Sequence, residues 1–219
     1  MPSLARIPFD PSVYLVTDQR LCGEKSLLDV AGLAVRGGAS MVQLREKRLN
    51  MRELVDLGRA LLCLLAPFGV PLIINDRVDA ALAVQAHGVH LGQTDMPVDL
   101  ARHLLGPRAI IGLSLEQLDQ LRDAEHHDVD YYGVSPVFPT ATKSDVGEAW
   151  GLAGLSALRA ATRRPLVAIG GIDARNAEAV IRAGADGLAV VSAICAAPDP
   201  LLASEELCAA VLRGRSNSQ

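Results

Sequence analysis

The chain predicts a single-domain (β/α)8 barrel, the TIM-barrel class of α/β proteins, spanning residues 1–219. Three observations predict it. Short apolar runs alternate with helical patterns eight times; polar groups stand at the carboxyl ends of several runs; and the turns GGASMV, AHGVHL and GADGLAV recur before strands as a weak internal repeat. A doubly wound open sheet would not need eight units.

Val13-Tyr14-Leu15-Val16 is the first strand, ending at Thr17-Asp18. A helix over 26–36 stops at Gly37-Gly38. The second strand, 40–47, reads SMVQLREK, and alternation puts Val42 and Leu44 on one face and Met41, Gln43 and Arg45 on the other. In a barrel the apolar face packs on helices and the polar face points to the interior or mouth. Arg45 there needs either an ion pair with a neighbouring Asp or an anion to bind, and Lys47 adds a second cation.

The central stretch 71–97, PLIINDRVDAALAVQAHGVHLGQTDMP, reads as strand, helix, strand. Leu72-Ile73-Ile74 ends in Asn75-Asp76; Val78, Ala81, Leu82 and Gln85 follow at helical spacing; Gly88 breaks that helix; Val89-His90-Leu91 ends in Gly92-Gln93-Thr94-Asp95. Parallel strands joined by a helix bring Asp76 and Asp95 to one edge of the sheet. Singly, Asp76 reads as a helix cap and Asp95 as a turn residue before Pro97 at the first helical position. Together, two carboxylates suit Mg²⁺, with waters and substrate phosphates completing its octahedron.

A helix over 98–105 leads to a fifth strand, 109–114, ending in Ser114, which could cap a helix over 115–126. The sixth strand is 130–135. The segment 136–150, PVFPTATKSDVGEAW, has no period, and a connection of that length in a compact domain is functional or disordered. Its Thr140, Thr142 and Lys143 offer two hydroxyls and an ammonium to phosphate. A helix over 152–161, a strand over 166–169, a helix over 174–183, a strand over 187–191 and a C-terminal helix from Pro200 complete the chain. Barrels of this class commonly hold phosphate after strands seven and eight. Gly170-Gly171 would let backbone approach a phosphate at a helix start, beside Val191-Ser192. The mouth thus holds two anion centres: a metal with Arg45, Lys47 and Lys143, sized for a diphosphate, and a neutral glycine site, sized for a monophosphate.

Composition bounds the remaining classes. Half the residues are hydrophobic but only 3 % aromatic, so the core is aliphatic. The formal net charge is −4 and no basic stripe interleaves with aromatics, which disfavours nucleic acid. The most apolar segment, 60–74, is broken by Pro67, Gly69 and Pro71 and is too short to span a bilayer, and MPSLARIPFDPS lacks a signal-peptide pattern. Cys22, Cys63, Cys195 and Cys208 form no CxxC pair and read as buried thiols, so a soluble protein of the reducing cytoplasm is expected. His87 and His90 lack a third ligand for zinc, and His126-His127 sits at a helix end, where a cation is favourable.

VQLREK (42–47), NDRVDAAL (75–82), GVHLGQTDMP (88–97), IGLS (111–114), SPVFPTATKSD (135–145), AIGGI (168–172) and AGADGLAVVSAI (183–194) resemble thiamine-phosphate synthase (thiamine-phosphate pyrophosphorylase) over nearly the full chain and in order. The resemblance implies an enzyme that joins 4-amino-2-methyl-5-hydroxymethylpyrimidine diphosphate to 4-methyl-5-(2-phosphoethyl)thiazole, with Mg²⁺, giving thiamine phosphate and diphosphate. It implies that Gln43, Leu44, Arg45, Glu46, Lys47, Asn75, Ser114 and Lys143 hold the pyrimidine diphosphate, with Arg45, Ser114 and Lys143 catalytic. It places Mg²⁺ on Asp76 and Asp95, and the thiazole phosphate on Thr140, Ala141, Thr142, Gly171, Val191 and Ser192. The implied partners are two small phosphorylated molecules, and a homodimer is compatible with the sequence.

One departure matters. Related barrels often carry His two residues after the strand-five Ser, where this chain has Glu116, and the similar thiazole tautomerase uses a His in that region for proton transfer. With both acidic positions intact, this argues against the tautomerase. No activated nucleophile is evident, so leaving-group stabilisation rather than covalent catalysis is expected. Two rivals are a Schiff-base aldolase using Lys143 and a catalytically silent barrel that binds a phospho-ligand.

Overall fold

Alternation decides which side of the sheet each strand residue takes. In the computed structural model of the chain, which describes residues 6–140 and 148–216, β1 (Val13–Val16), β2 (Met41–Leu44), β3 (Leu72–Asn75), β4 (Gly88–Leu91), β5 (Ile110–Leu115), β6 (Tyr131–Val134), β7 (Leu166–Ile169) and β8 (Gly187–Val190) pair in parallel, in sequence order. β8 closes onto β1 with Tyr14 opposite Ala189. The eight-stranded barrel of the prediction is therefore present. Tyr14, Val16, Met41, Ile73, Ile110, Tyr131, Val167 and Ala189 fill its interior. Val13, Leu15, Val42, Leu44, Leu72 and Ile74 face outward into a larger core shared with the helices. The faces expected for β2 are the faces observed.

The helical layer consists of α1 (Leu27–Arg36), α2 (Met51–Leu65), α3 (Val78–Val84), α4 (Val98–Leu105), α5 (Gln120–Ala124), α6 (Gly151–Ala161), α7 (Ala177–Arg182), α8 (Ser192–Cys195) and α9 (Pro200–Ser216). Ser26 caps α1 by accepting from Asp29 N–H. α2 begins at a capping box, Asn50 with Glu53, a signal the sequence reading did not use. The amino end of the barrel is closed by the segment before β1. Ile7 and Phe9 pack on the inner cluster, Ile7 N–H donates to Arg108 O at 3.2 Å, and Arg6 pairs with Asp128 and Asp130.

Several expectations are corrected. β5 runs on to Leu115, paired with Val134, so Ser114 lies within a strand and caps no helix. The helix expected from 115 shrinks to α5, because Gln120 Oε1 accepts Glu116 N–H at 2.7 Å and turns the chain first. Asp76 is not a cap: it has φ 61° and Arg77 takes the N-cap position. Pro97 is itself the N-cap of α4, not its first residue. α3 buries Val78, Ala80, Ala81 and Val84 while Leu82 is exposed, and it ends at Gln85 in the left-handed region, so Gly88 opens β4. α7 starts only after a turn in which Asn176 Oδ1 accepts Asp173 N–H. Cys22 and Cys195 are buried as expected, but Cys208 is half-buried and Cys63 exposed. Among the described residues no helix is long and apolar enough to cross a membrane.

Candidate active site

The carboxyl ends of the strands open into a cavity of about 460 Å³. Of the residues singled out from sequence, Gln43, Arg45, Lys47, Asn75, Asp76, Asp95, Ser114, Thr140, Gly171, Val191 and Ser192 line it. Leu44 does not. It is the outward member of β2, and its side chain packs beside Gly58 of α2. Glu46 does not either: its carboxylate accepts Gln19 N–H at 2.9 Å, and burial pushes its pKa up. Ala141, Thr142 and Lys143 lie outside the described residues.

Asp76 and Asp95 meet as the topology predicts. Asp76 N–H donates to His90 O at 2.8 Å, and Asp95 Oδ2 accepts Gly92 N–H at 2.6 Å. Burial, followed by a hydrogen bond and charge repulsion from Asp95, raises the Asp76 pKa to about 6, against the pull of Lys47 and Arg45. Two carboxylates held this close at a half-buried mouth fit a divalent cation. Among the described residues no cluster of three or more His, Cys, Asp or Glu could hold a metal. A cation here would have two carboxylates and would take its other ligands from water and substrate, as Mg²⁺ commonly does.

Across the mouth, Gly170 (φ 103°) and Gly171 (φ 63°) follow β7. Packing as well as conformation demands glycine there. A Cβ on Gly171 would stand 2.8 Å from Phe138 Cβ and Pro139 O, and one on Gly170 would stand 2.7 Å from Pro136 Cβ. The glycines are needed because the β6–α6 connection lies on them, fixed by Phe138 N–H donating to Gly170 O at 3.1 Å. Ser192 opens α8, whose first N–H groups have no intrahelical acceptor.

Sequence reasoning missed the residues at the barrel floor. Tyr14, His90 and Tyr131 all line the cavity, as do Gln93, Thr94 and Glu116. Gln43 Nε2 donates to Tyr14 Oη at 2.9 Å, and the two tyrosine hydroxyls are 3.1 Å apart. His90 lies 2.9 Å from Tyr131 Oη through Nδ1 and 2.9 Å from Ser114 Oγ through Nε2. The signal was available, since alternation in β1, β4 and β6 turns these three side chains inward.

The family profile described as thiamine monophosphate synthase matches residues 13–194. The thiamine-phosphate synthase of Albidiferax ferrireducens is 56 % identical over 195 residues, 89 % of each chain. That of Azorhizobium caulinodans is 52 % identical over 200 residues, 91 % of this chain and 94 % of its own. Among solved structures, thiamine phosphate pyrophosphorylase from Pyrococcus furiosus superposes with a TM-score of 0.85 at 38 % identity, covering 94 % of this chain and 97 % of that one. A 3-hexulose-6-phosphate synthase, at 18 % identity and a TM-score of 0.67, shares the fold alone. With most of its length inside the profile and relatives above half identity, the chain belongs to the thiamine monophosphate synthase family.

Proposed function

We propose that this cavity joins 4-amino-2-methyl-5-hydroxymethylpyrimidine diphosphate to 4-methyl-5-(2-phosphoethyl)thiazole, releasing thiamine phosphate and diphosphate, with Mg²⁺ on Asp76 and Asp95. Thiamine-phosphate synthase activity itself goes with family membership. The observation that carries the finer reading is the pairing of two unlike anion-binding ends in one cavity. Arg45, Lys47 and the Asp76–Asp95 pair stand at one end, and Gly171, Val191 and Ser192 at the other. A single small monophosphate would not need both.

In this reading Arg45 and Lys47 receive the charge that develops on the departing diphosphate. Bound Mg²⁺ would supply further neutralisation of that leaving group. The C–O bond breaks, its electron pair leaves with diphosphate, and the pyrimidinyl methylene is left as a resonance-stabilised cation. The thiazole nitrogen then donates the pair that forms the new C–N bond. Backbone groups at Gly171 and Ser192 hold the distant thiazole phosphate, so remote binding energy orients the attacking nitrogen. Glu116 lines the cavity where the similar tautomerase carries a proton-transferring His, which favours the synthase reading.

The test is incubation with both substrates and Mg²⁺, read by mass. Thiamine phosphate should form only when both substrates are present and should cease with excess chelator. Undiminished product in chelator would remove Mg²⁺ from the reading, and no product with Mg²⁺ would remove the substrate pair.

A further inference from the structure

Where β1 and β2 leave the sheet, one bond departs from the ladder. Thr17 N–H donates to Gln43 O at 2.9 Å, as a parallel pair requires. The next rung of a regular pair would run from Arg45 N–H to the Thr17 carbonyl. It runs instead to the Thr17 hydroxyl, with Oγ1 accepting Arg45 N–H at 3.0 Å. A side chain takes over a backbone acceptor just where the strand delivers its arginine to the mouth.

Thr17 suits that task. It is 1 % exposed, and β-branching leaves χ1 little freedom, so the hydroxyl is pinned. Alternation turns Thr17 away from the cavity, and Arg45 lines the cavity wall where Thr17 does not. A second grip follows one residue on, where Glu46 Oε1 accepts Gln19 N–H at 2.9 Å. Gln19 is itself fastened: its Oε1 accepts Leu27 N–H, at the start of α1, at 3.0 Å, and its Nε2 donates to Lys25 O at 3.3 Å. Between the two grips Asp18 accepts Arg20 N–H at 3.1 Å and keeps the chain turned. Arg45 and Glu46 lie beyond Leu44, the last residue of β2, yet their backbone is tied to β1 through Thr17 and to α1 through Gln19.

An arginine carries its charge at the end of a long side chain, so a small rotation at its root displaces the guanidinium beyond hydrogen-bond reach of its target. We propose that Thr17 is a positioning residue for the reaction, holding the Arg45 backbone so that the guanidinium meets the departing diphosphate. The inference rests on the role given to Arg45 above. Thr17 touches no substrate in this account and acts through Arg45 alone.

Thr17→Val keeps the shape and removes the acceptor. In the folded variant, kcat/KM for the pyrimidine diphosphate should fall about tenfold or more, as misplaced catalytic groups do. The Kd of Mg²⁺-diphosphate should rise with it, and the KM for thiazole phosphate should barely move. Thr17→Ser, which keeps the hydroxyl, should recover most of the loss. A Thr17→Val protein with a lower Tm and unchanged constants overturns the proposal, because that is what a merely structural threonine gives. If Thr17→Val does not fold, Thr17→Ala carries the same expectations. A double-mutant cycle with Arg45→Ala identifies the route: with the guanidinium gone, Thr17→Val should add nothing to the Kd of Mg²⁺-diphosphate. An equal effect in both backgrounds means that Thr17 acts elsewhere and overturns the proposal. If Arg45→Ala binds Mg²⁺-diphosphate like the wild type, the diphosphate reading fails and this inference with it. If Arg45→Ala binds weakly and Thr17→Val normally, the inference alone fails. In the wild type the Arg45 amide should be protected from hydrogen exchange, and free exchange would remove the bond on which the proposal stands.

Discussion

The carboxyl groups of Asp76 and Asp95 come together where β3 and β4 end side by side. Asp76 reaches that position by adopting a left-handed backbone, φ 61°, a conformation that costs a non-glycine residue about 1–2 kcal/mol. Asx residues tolerate it best, so Asn is a fair replacement there.

Asp76→Asn and Asp95→Asn should therefore both fold and both lose Mg²⁺-dependent turnover. At limiting Mg²⁺, kcat/KM should fall by at least about 100-fold, the upper end of what losing even a supporting group costs a metal site. Titration calorimetry of Mg²⁺-diphosphate should lose its signal in parallel. Full activity of either variant would remove the metal from these residues.

The raised Asp76 pKa makes an unusual stability prediction. Its ordinary value is 3.8 and its folded value about 6, so between these the folded chain holds a proton that the unfolded chain has released. Stability therefore falls as pH rises from about 4 to about 6, the reverse of an aspartate paired with a cation. In chelator, the Tm of wild type relative to Asp76→Asn should drop across that window. Mg²⁺ should raise the wild-type Tm above pH 6 and leave it unchanged below pH 4. A metal effect equal at both ends would place the cation elsewhere.

Gly171→Ala should act through the β6–α6 connection. The new methyl group meets Phe138 and Pro139, and φ 63° adds strain, so the segment carrying Thr140 must shift. The KM for thiazole phosphate should rise on the order of tenfold, about 1.4 kcal/mol. Binding of Mg²⁺-diphosphate to the folded variant should be nearly unchanged. Loss of diphosphate binding with a preserved thiazole-phosphate KM would mean that the two phosphate ends are reversed.

A dissociative step predicts a strong electronic effect. Replacing the pyrimidine methyl with trifluoromethyl withdraws electrons from the developing cation, and single-turnover chemistry should slow by orders of magnitude. An equal or faster step would instead indicate direct displacement by the thiazole nitrogen.

Much of this was legible in the sequence, and the exceptions have physical causes. Alternation alone places Gln43 inside, and the same rule places Tyr14, Tyr131 and His90 there. Nothing in the local sequence separates the two tyrosines from ordinary core, or His90 from a stray imidazole. Leu44 and Glu46 entered through a contiguous motif, whereas only alternate strand residues can face the mouth, and Glu46 is held by Gln19 N–H. The β5–α5 boundary was misplaced because no pattern in Leu115–Leu118 announces that Gln120 will take Glu116 N–H. The sequence shows the glycine pair only as a place where backbone can approach a phosphate; its packing against Phe138–Pro139 is a long-range contact absent from local sequence.

The filled barrel interior, backed at its amino end by Ile7 and Phe9, makes the cavity a cul-de-sac. Reactants and products use the same doorway, and an ordered pattern, with the occupant of the deeper berth first in and last out, is the expected outcome. The pyrimidine ring, addressed by Gln43 and Ser114 at the floor, takes that berth in the reading above. Queueing thus becomes a property of the architecture, and product-inhibition patterns read it directly.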